Sequence, residues 1–299
     1  MDETLQLLHT PPGLHGSGRV RYGAAMELFR QGLLSEAQLD AYREASPFDS
    51  RDPAVLLRDR GLPPPPPWAA TPRARLQALF VAARDYLDTL AHPGAADVSA
   101  CFSRCAAPGE LPAARSHPVA DRWLEPALTA ARALQPHLAQ AIANAAPHLA
   151  WGIYDPYPRS EIGDGFAEGH AFASIAGEDA PFLAEDLEIG LLLMAPHLVY
   201  RDHCHAAPEL YAPLTGPHGW RFGPGRSLIV KAAGEPVWNP ALQPHLTKVG
   251  QVPFLCLFVW TRDVKEPARV IPAGDWAALE TAALPIPVQQ DLRPADRSW

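Results

Sequence analysis

The sequence predicts an α+β fold in which a helical N-terminal region precedes an all-β sandwich or barrel. Up to about residue 150 the chain is rich in alanine, and its apolar residues recur at helical spacing. From Trp151 onward, short apolar runs are separated by glycine and proline turns, which is typical of sandwiches and barrels. We therefore expect a helical segment over 1–62, a proline spacer with a helical bundle over 63–150, and a β domain over 151–299.

Two local patterns shape the first part of the chain. Ser35 and Gln38 fit a capping box, in which the serine caps the first turn and the glutamine reaches back, so a short helix should begin there. The unbroken proline run 63–67 must be extended, because proline fixes φ and has no N–H to donate. We interpret this run as a stiff spacer, with a ligand for a proline-recognising domain as the alternative.

The helical bundle shows one further start signal and one zone that prolines interrupt. Thr71 offers an N-cap that is followed by Pro72 at the first helical position, and leucines then recur at helical spacing. A second helical zone covers 118–146, and we expect Pro126 and Pro136 to break or kink it.

Composition limits the classes of function. The 299 residues include 25 Lys+Arg and 33 Asp+Glu, a formal net charge of −8, which argues against binding to nucleic acid or an anionic membrane through bulk charge. The apolar runs are shorter than the roughly 20 residues that cross a bilayer, and the N-terminus lacks the pattern of a secretory signal. We expect a cytoplasmic protein whose four cysteines are reduced.

One stretch carries candidate chemistry, and it reads H-x-H-x3-E-x6-G over 203–216. Residues two apart on a strand share a face, so His203, His205, Glu209 and Tyr211 can all point into a barrel interior. Two imidazoles and a carboxylate on one face can hold a divalent first-row metal. Surface histidines and a solvated glutamate are the alternative interpretation.

This stretch resembles the first motif of the cupin superfamily. The resemblance implies a cupin barrel (a double-stranded β-helix or jelly roll) and one more histidine ligand some 30 to 40 residues later. His245 lies where that ligand is expected, although the usual P-x-G-x2-H form is absent. A loop histidine is the alternative for His245.

Within the cupins, the chain is most similar to the dimethylsulfoniopropionate (DMSP) lyase family. The matching parts are the segment 190–196, Tyr200, the segment 209–216, Trp220 and the segment 253–260. The resemblance implies a metal-dependent carbon–sulfur lyase that cleaves DMSP to dimethyl sulfide and acrylate by β-elimination.

The same resemblance assigns roles to individual residues. The metal ligands fall on His205, Glu209 and His245, with His203 as a further candidate, and the catalytic tyrosine falls on Tyr200 or Tyr211. Core packing is the alternative role for both tyrosines. Zinc, iron, manganese and nickel all suit His and Glu ligands.

The sulfonium end of DMSP would be recognised by aromatic faces through cation–π contacts. The candidate substrate-binding residues are Trp151, Tyr154, His170, Trp220 and Trp238. His170 stands where the family is expected to have a tyrosine. For most of the aromatic residues, core packing is the competing role.

Two other functions remain open from the sequence. One is a metal-dependent cupin oxygenase or isomerase that acts on another small carboxylate. The other is a non-catalytic cupin that senses a metal or a small ligand; the absence of a basic recognition helix counts against a DNA-binding version. A homodimer is expected by analogy with other cupins.

Overall fold

The computed structural model describes residues 2–66, 70–108 and 110–284. The chain forms two compact units, Met1–Thr71 and Pro72–Trp299. The three predicted segments, 1–62, 63–150 and 151–299, were drawn from changes in composition along the chain, and as domains they stay a prediction. Pro67, at the end of the predicted spacer, and the stretch 285–299 of the predicted β domain lie outside the described residues.

The first unit is a small helical bundle with its own apolar core. Its helices are α1 (Asp2–Leu8), α2 (Ser17–Arg30), α3 (Glu36–Ala45) and α4 (Pro53–Asp59). The Ser35 capping box is present, with the serine side chain accepting from the Gln38 backbone and the Gln38 side chain accepting from the Ser35 backbone. The Gln38 amide also donates to the Pro63 carbonyl at 3.1 Å, so the proline run begins packed against α3.

The second unit begins with four longer helices, which are α5 (Pro72–Leu87), α6 (Ala95–Arg104), α7 (Pro118–Ala131) and α8 (Pro136–Ala145). A 3-10 turn, Ala146–His148, follows α8. Three short helices complete the set: α9 (Arg159–Ile162), α10 (Asp164–Gly169) and α11 (Trp276–Thr281). Pro136 starts a new helix as expected, whereas Pro126 lies inside α7, which continues past it.

Eleven strands follow within the described residues. They are β1 (His170–Gly177), β2 (Phe182–Leu183), β3 (Glu188–Met194), β4 (Val199–Cys204), β5 (Glu209–Pro213), β6 (His218–Arg221), β7 (Ile229–Lys231), β8 (Val237–Asn239), β9 (His245–Lys248), β10 (Phe254–Trp260) and β11 (Arg269–Val270). They form a six-stranded sheet in the order β2-β1-β3-β10-β5-β8 and a five-stranded sheet in the order β11-β4-β9-β6-β7. Apart from the short β1 and β2 pair, neighbouring strands are antiparallel.

The larger sheet is apolar on both faces, and one face packs against helices while the other packs against the five-stranded sheet. On β3, Leu191 and Leu193 join the core formed with helices α5 to α8. Leu192 and Met194, which alternate with them, join a second core with Tyr200 and other side chains of the five-stranded sheet. Helices therefore cover one face and the second sheet covers the other, which confirms the α+β prediction of helices followed by a cupin-type β domain.

A buried ion pair ties α11 to the outer side of the five-stranded sheet. Arg221 pairs with Asp202, and both side chains are fully buried. Arg221 also donates to Asp275 at the start of α11, and the Trp276 indole donates to Asp202 at 2.8 Å. None of the helices in the described ranges is long and apolar enough to cross a membrane.

Candidate metal centre and its pocket

The three predicted histidine ligands come together between the two sheets. His203 lies on β4 opposite His245 at the start of β9, where the antiparallel register pairs the two residues directly. His205 follows β4 immediately in the chain. One ring nitrogen of each histidine lies within 4.8 Å of those of the other two, and all three side chains are buried.

Each of these rings hydrogen-bonds to a backbone carbonyl through Nδ1, which leaves Nε2 as the nitrogen that can bind a metal. Nδ1 of His203 bonds to the Arg201 carbonyl at 2.8 Å. Nδ1 of His205 bonds to the Ala207 carbonyl at 2.7 Å, and Nδ1 of His245 to the Gln243 carbonyl at 2.9 Å. A carbonyl only accepts, so each Nδ1 carries a proton and each Nε2 is left as the ligand atom, as is usual for metal-binding histidines.

Glu209 contributes a carboxylate to the same group. Its Oε2 lies 3.1 Å from Nε2 of His205 and 3.4 Å from Nε2 of His245. Its Oε1 accepts from the Trp260 indole at 2.7 Å, which fixes the orientation of the carboxylate.

The protonation of Glu209 is set by this surrounding. Burial raises the pKa of Glu209, but the charge and the hydrogen bond of His205 outweigh it and lower the pKa. Burial lowers the pKa of His205, and here the Glu209 carboxylate outweighs it and raises the pKa. Without a metal, a proton therefore bridges His205 and Glu209, and a metal would have to displace it.

The donor set fits a divalent transition metal. Nε2 of both His203 and His245 is buried and has no hydrogen-bond partner, which is costly for a polar atom in a protein interior. A metal ion would satisfy both lone pairs, and imidazole nitrogens with a carboxylate are ligands that zinc, iron, manganese and nickel accept. The prediction that these four residues are ligands stays a prediction, now with a geometry that suits it.

The two candidate catalytic tyrosines flank the histidines. The Tyr200 ring stacks on His203 with 3.8 Å between ring centroids, and its hydroxyl hydrogen-bonds to the Tyr157 hydroxyl at 2.7 Å. Tyr211 lies on β5, two residues after Glu209, with its ring 6.0 Å from that of His245. Burial raises the pKa of both hydroxyls, and for Tyr211 the charge of Glu209 adds to the increase.

An aromatic pocket opens beside this group on the inner face of the larger sheet. Its walls include both tyrosines and Glu209, together with Tyr154, Phe172, Glu188, Phe258 and Trp260. Gly190 is required for this wall, because a Cβ there would lie 2.6 Å from the Phe258 ring.

Of the five predicted substrate-binding residues, one lines the pocket and two lie behind its walls. Tyr154 lines the pocket, and its ring makes an edge contact with Trp260. Trp220 is fully buried behind Tyr211. His170 lies behind Phe166, whose ring stacks on His170 and on Tyr200.

Trp151 and Trp238 lie apart from the aromatic pocket, and their role in substrate binding stays a prediction; Trp151 lines the outer cavity that Phe172 and Glu188 also line. Trp151 belongs to the core between the helices and the larger sheet, and Trp238 packs against that core beside His92. Both therefore lie with the helix-facing side chains of the sheet, apart from the histidines. The aromatic content of the strands did not reveal which face each ring would occupy.

Sequence reasoning missed several residues of the pocket. Phe172 and Trp260 line the pocket but were not among the five predicted substrate-binding residues, because the sequence shows them only as two of many aromatic residues in the β region. Glu188 had no signal, because a charged residue at the start of an apolar strand normally marks the boundary with solvent. Phe258 lies within a continuous apolar run whose alternation cannot be read without the register.

His170 should make stability dependent on pH. Its Nε2 accepts from the Tyr154 N–H at 2.9 Å while Nδ1 bonds to the Phe166 carbonyl at 2.6 Å, so the ring is neutral and holds two segments of the pocket wall. Burial lowers the pKa of His170 to about 4. The folded state thus binds fewer protons than the unfolded state, whose histidine titrates near 6.5, and stability falls as the pH drops from about 6.5 to about 4, by up to about 1.4 kcal/mol per pH unit.

The variant His170→Phe is expected to be less stable at pH 7 but less sensitive to acid. Urea unfolding of both proteins with a chelator present, at a series of pH values between about 7 and 5, measures the difference. An unchanged pH dependence in the variant would contradict this assignment.

The fold and the buried histidines together define a cupin-type protein with a candidate metal centre. A model of the DMSP lyase family matches residues 98–256, which is more than half of the chain. The chain belongs to the DMSP lyase family.

Named relatives agree with this membership. The chain is 30% identical over 122 residues to the DMSP lyase DddQ of Ruegeria pomeroyi, which is 40% of this chain and 59% of that protein. It is 29% identical over 127 residues to the putative DMSP lyase DddL of Cereibacter sphaeroides, which is 42% of this chain and 50% of that protein. The matches therefore cover less than two thirds of the length of either relative.

Solved structures extend the similarity. A chain from the crystal structures of the DMSP lyases RdDddP and RnDddQII superposes with a TM-score of 0.54 and 25% identity, covering 68% of this chain and all of that chain. The crystal structure of DddQ from Ruegeria pomeroyi gives a TM-score of 0.52 at 20% identity, over 66% of this chain and 95% of that chain, and supports the fold.

Proposed function

We propose that this protein is a metal-dependent lyase that cleaves DMSP to dimethyl sulfide and acrylate by β-elimination. The observation that carries the proposal is the meeting of three histidine ligand atoms within 4.8 Å, beside a tyrosine-lined pocket, in a member of the DMSP lyase family. In this reaction a base takes the proton from the carbon next to the carboxylate. The carbon–sulfur bond then breaks, and its electron pair leaves with dimethyl sulfide.

The ligands of the metal would be His203, His205, Glu209 and His245. A divalent ion held there would bind the substrate carboxylate and stabilise the negative charge that develops as the proton leaves. Zinc, iron, manganese and nickel remain the candidate ions, and a cytoplasmic location and a homodimer are further parts of the proposal that rest on the sequence.

Tyr200 is the better candidate for the base. Its hydroxyl bonds to the neutral Tyr157 hydroxyl, which can donate to a phenolate and so opposes part of the increase that burial causes in the pKa of Tyr200. Tyr211 instead faces the Glu209 carboxylate, whose negative charge opposes the loss of a proton from its hydroxyl. We therefore assign proton removal to Tyr200 and orientation of the carboxylate end to Tyr211.

The aromatic walls would receive the sulfonium end of the substrate. Tyr154, Phe172 and Trp260 offer ring faces and edges in the pocket and carry no charge that could neutralise the base. The same walls limit the access of water, which strengthens electrostatic interactions at the reacting carbon.

Headspace measurement of dimethyl sulfide tests the proposal. Purified full-length protein loaded separately with zinc, iron(II), manganese or nickel is incubated with DMSP, and acrylate is measured in the same samples. We expect both products in equal amounts with at least one metal and none after treatment with a chelator. A metal-loaded protein that releases neither product would refute the lyase proposal, and oxygen consumption with iron(II) would then favour an oxygenase acting on another small carboxylate.

A further inference from the structure

Glu188 is a second carboxylate in the pocket, on the opposite side of Trp260 from Glu209. The register of the larger sheet pairs Trp260 on β10 with Glu188 on β3 and also with Glu209 on β5. The three residues thus form one row across neighbouring strands. Both carboxylates line the aromatic pocket and lie about 10 Å apart at the backbone, which is two strand spacings.

This carboxylate lacks a basic partner. Among the residues that the structure describes, no lysine, arginine or histidine forms an ion pair with Glu188. The Ser174 hydroxyl donates to its Oε1 at 2.5 Å and fixes the position of the carboxylate. Burial raises the pKa of Glu188, the Ser174 hydrogen bond opposes the increase, and the charge of Glu209 adds to it.

An unpaired carboxylate in such a place can attract a cation. Glu188 is partly buried, so water screens its charge less than it screens a surface charge, and an approaching cation would offset part of the cost of its desolvation. Glu188 also lines a wider outer cavity, together with Phe172 and Ser174. The residue therefore stands where the aromatic pocket and the outer cavity share a wall.

We propose that Glu188 forms a cation subsite that binds the positively charged end of the substrate and makes the pocket selective for zwitterionic carboxylates. This inference rests on the proposed function for the identity of the substrate. The carboxylate end lies near the histidines, and a chain of two carbons places the cation beside Trp260, within reach of Glu188. Trp260 and Phe172 offer ring contacts, and Glu188 supplies the charge that these rings lack.

A sulfonium carries no N–H or O–H, so this recognition is electrostatic and does not need a hydrogen bond. The competing interpretation is a strand-end glutamate that is held neutral by its surroundings and serves only to bind Ser174. The two interpretations differ in what a neutral amide at the same position would do. Glu188→Gln keeps the shape and the ability to bond with Ser174 but removes the charge.

Two unreactive analogues separate charge from shape. In 3-(trimethylammonio)propionate a fixed cation replaces the sulfonium, and 4,4-dimethylpentanoate has the same shape with a neutral carbon in place of the nitrogen. Calorimetric titration of metal-loaded wild-type protein should show tighter binding of the cationic analogue. In Glu188→Gln we expect its affinity to fall about tenfold and that of 4,4-dimethylpentanoate to stay unchanged or to rise.

Matched variants complete the experiment. Glu188→Asp keeps the charge and should retain most of the preference for the cation. Glu178→Gln removes an exposed glutamate of the same outer cavity and should change neither affinity. The inference is overturned if wild-type protein shows no preference between the analogues, binds neither of them, or keeps its preference in Glu188→Gln.

Release of dimethyl sulfide is measured separately and distinguishes the two proposals. A wild-type protein that releases the gas, with an unchanged KM for DMSP in Glu188→Gln, would refute the cation subsite and leave the lyase standing. A protein that releases no gas but loses its preference for the cationic analogue in Glu188→Gln would refute the lyase and keep the subsite.

Discussion

The variant His245→Ala is expected to lose its bound metal and to release dimethyl sulfide about a thousandfold more slowly than the wild-type protein. Removing this imidazole takes away one of three converging Nε2 atoms and one of the two rings that approach Glu209. Three of the four proposed ligands remain, so one coordination position opens to water and the ion is held more weakly. Elemental analysis of the purified variant, with headspace analysis on the same samples, measures both effects.

His137→Ala is a suitable control, because His137 is exposed on α8 and belongs to the helical part of the unit. It should keep both metal and activity. Metal content equal to that of the wild-type protein in His245→Ala would contradict the assignment of His245 as a ligand. Among the four proposed ligands, His245 has the weakest sequence motif, so this variant tests the ligand that the sequence supports least.

The variant Tyr200→Phe should keep its metal and its fold but lose about a thousandfold in kcat. The ring that stacks between Phe166 and His203 is preserved, and only the hydroxyl that faces Tyr157 is removed. Loss of a proton acceptor acts on the chemical step, so KM should change little. Steady-state kinetics of dimethyl sulfide release, together with the metal content, separates this result from a loss of the centre.

Two further tyrosine variants sharpen the assignment. Tyr157→Phe removes the hydroxyl that stabilises the Tyr200 phenolate and should reduce kcat by about tenfold. Tyr211→Phe should reduce kcat less than Tyr200→Phe does, and should raise KM. The opposite order, with Tyr211→Phe inactive and Tyr200→Phe active, would exchange the roles of the two tyrosines.

Much of the fold and the centre of the site could be predicted from the sequence because both depend on local spacing. The alternation of residues along a strand places His203 and His205 on one face, and the same rule places Glu209 with Tyr211. His245 was selected in a different way, from the position of the second motif that the resemblance to the cupins implies, in spite of its altered form. The capping box at Ser35 is equally local, and the structure contains it.

Other parts of the site depend on contacts that no local pattern contains. Strict alternation would put Tyr200 and His203 on opposite faces of β4, but the register shifts between these two residues and their rings stack. The carbonyls that fix the histidine tautomers belong to Arg201 on β4 and to the loop residues Ala207 and Gln243, and their directions are set by the folded backbone. The placement of Trp151 and Trp238 on the helix-facing side could not be predicted, because the larger sheet is apolar on both faces and an aromatic residue gives no sign of which face it will occupy.

The sequence by itself determined the order of helices and strands and three of the candidate metal ligands, His203, His205 and Glu209, since strand alternation and turn residues act over a few positions; the resemblance to the cupins added His245. The tertiary structure decided which strands are neighbours. Strand pairing joins residues that are far apart in the chain, and only that pairing placed Glu188 across Trp260 from Glu209, where a second carboxylate faces the pocket.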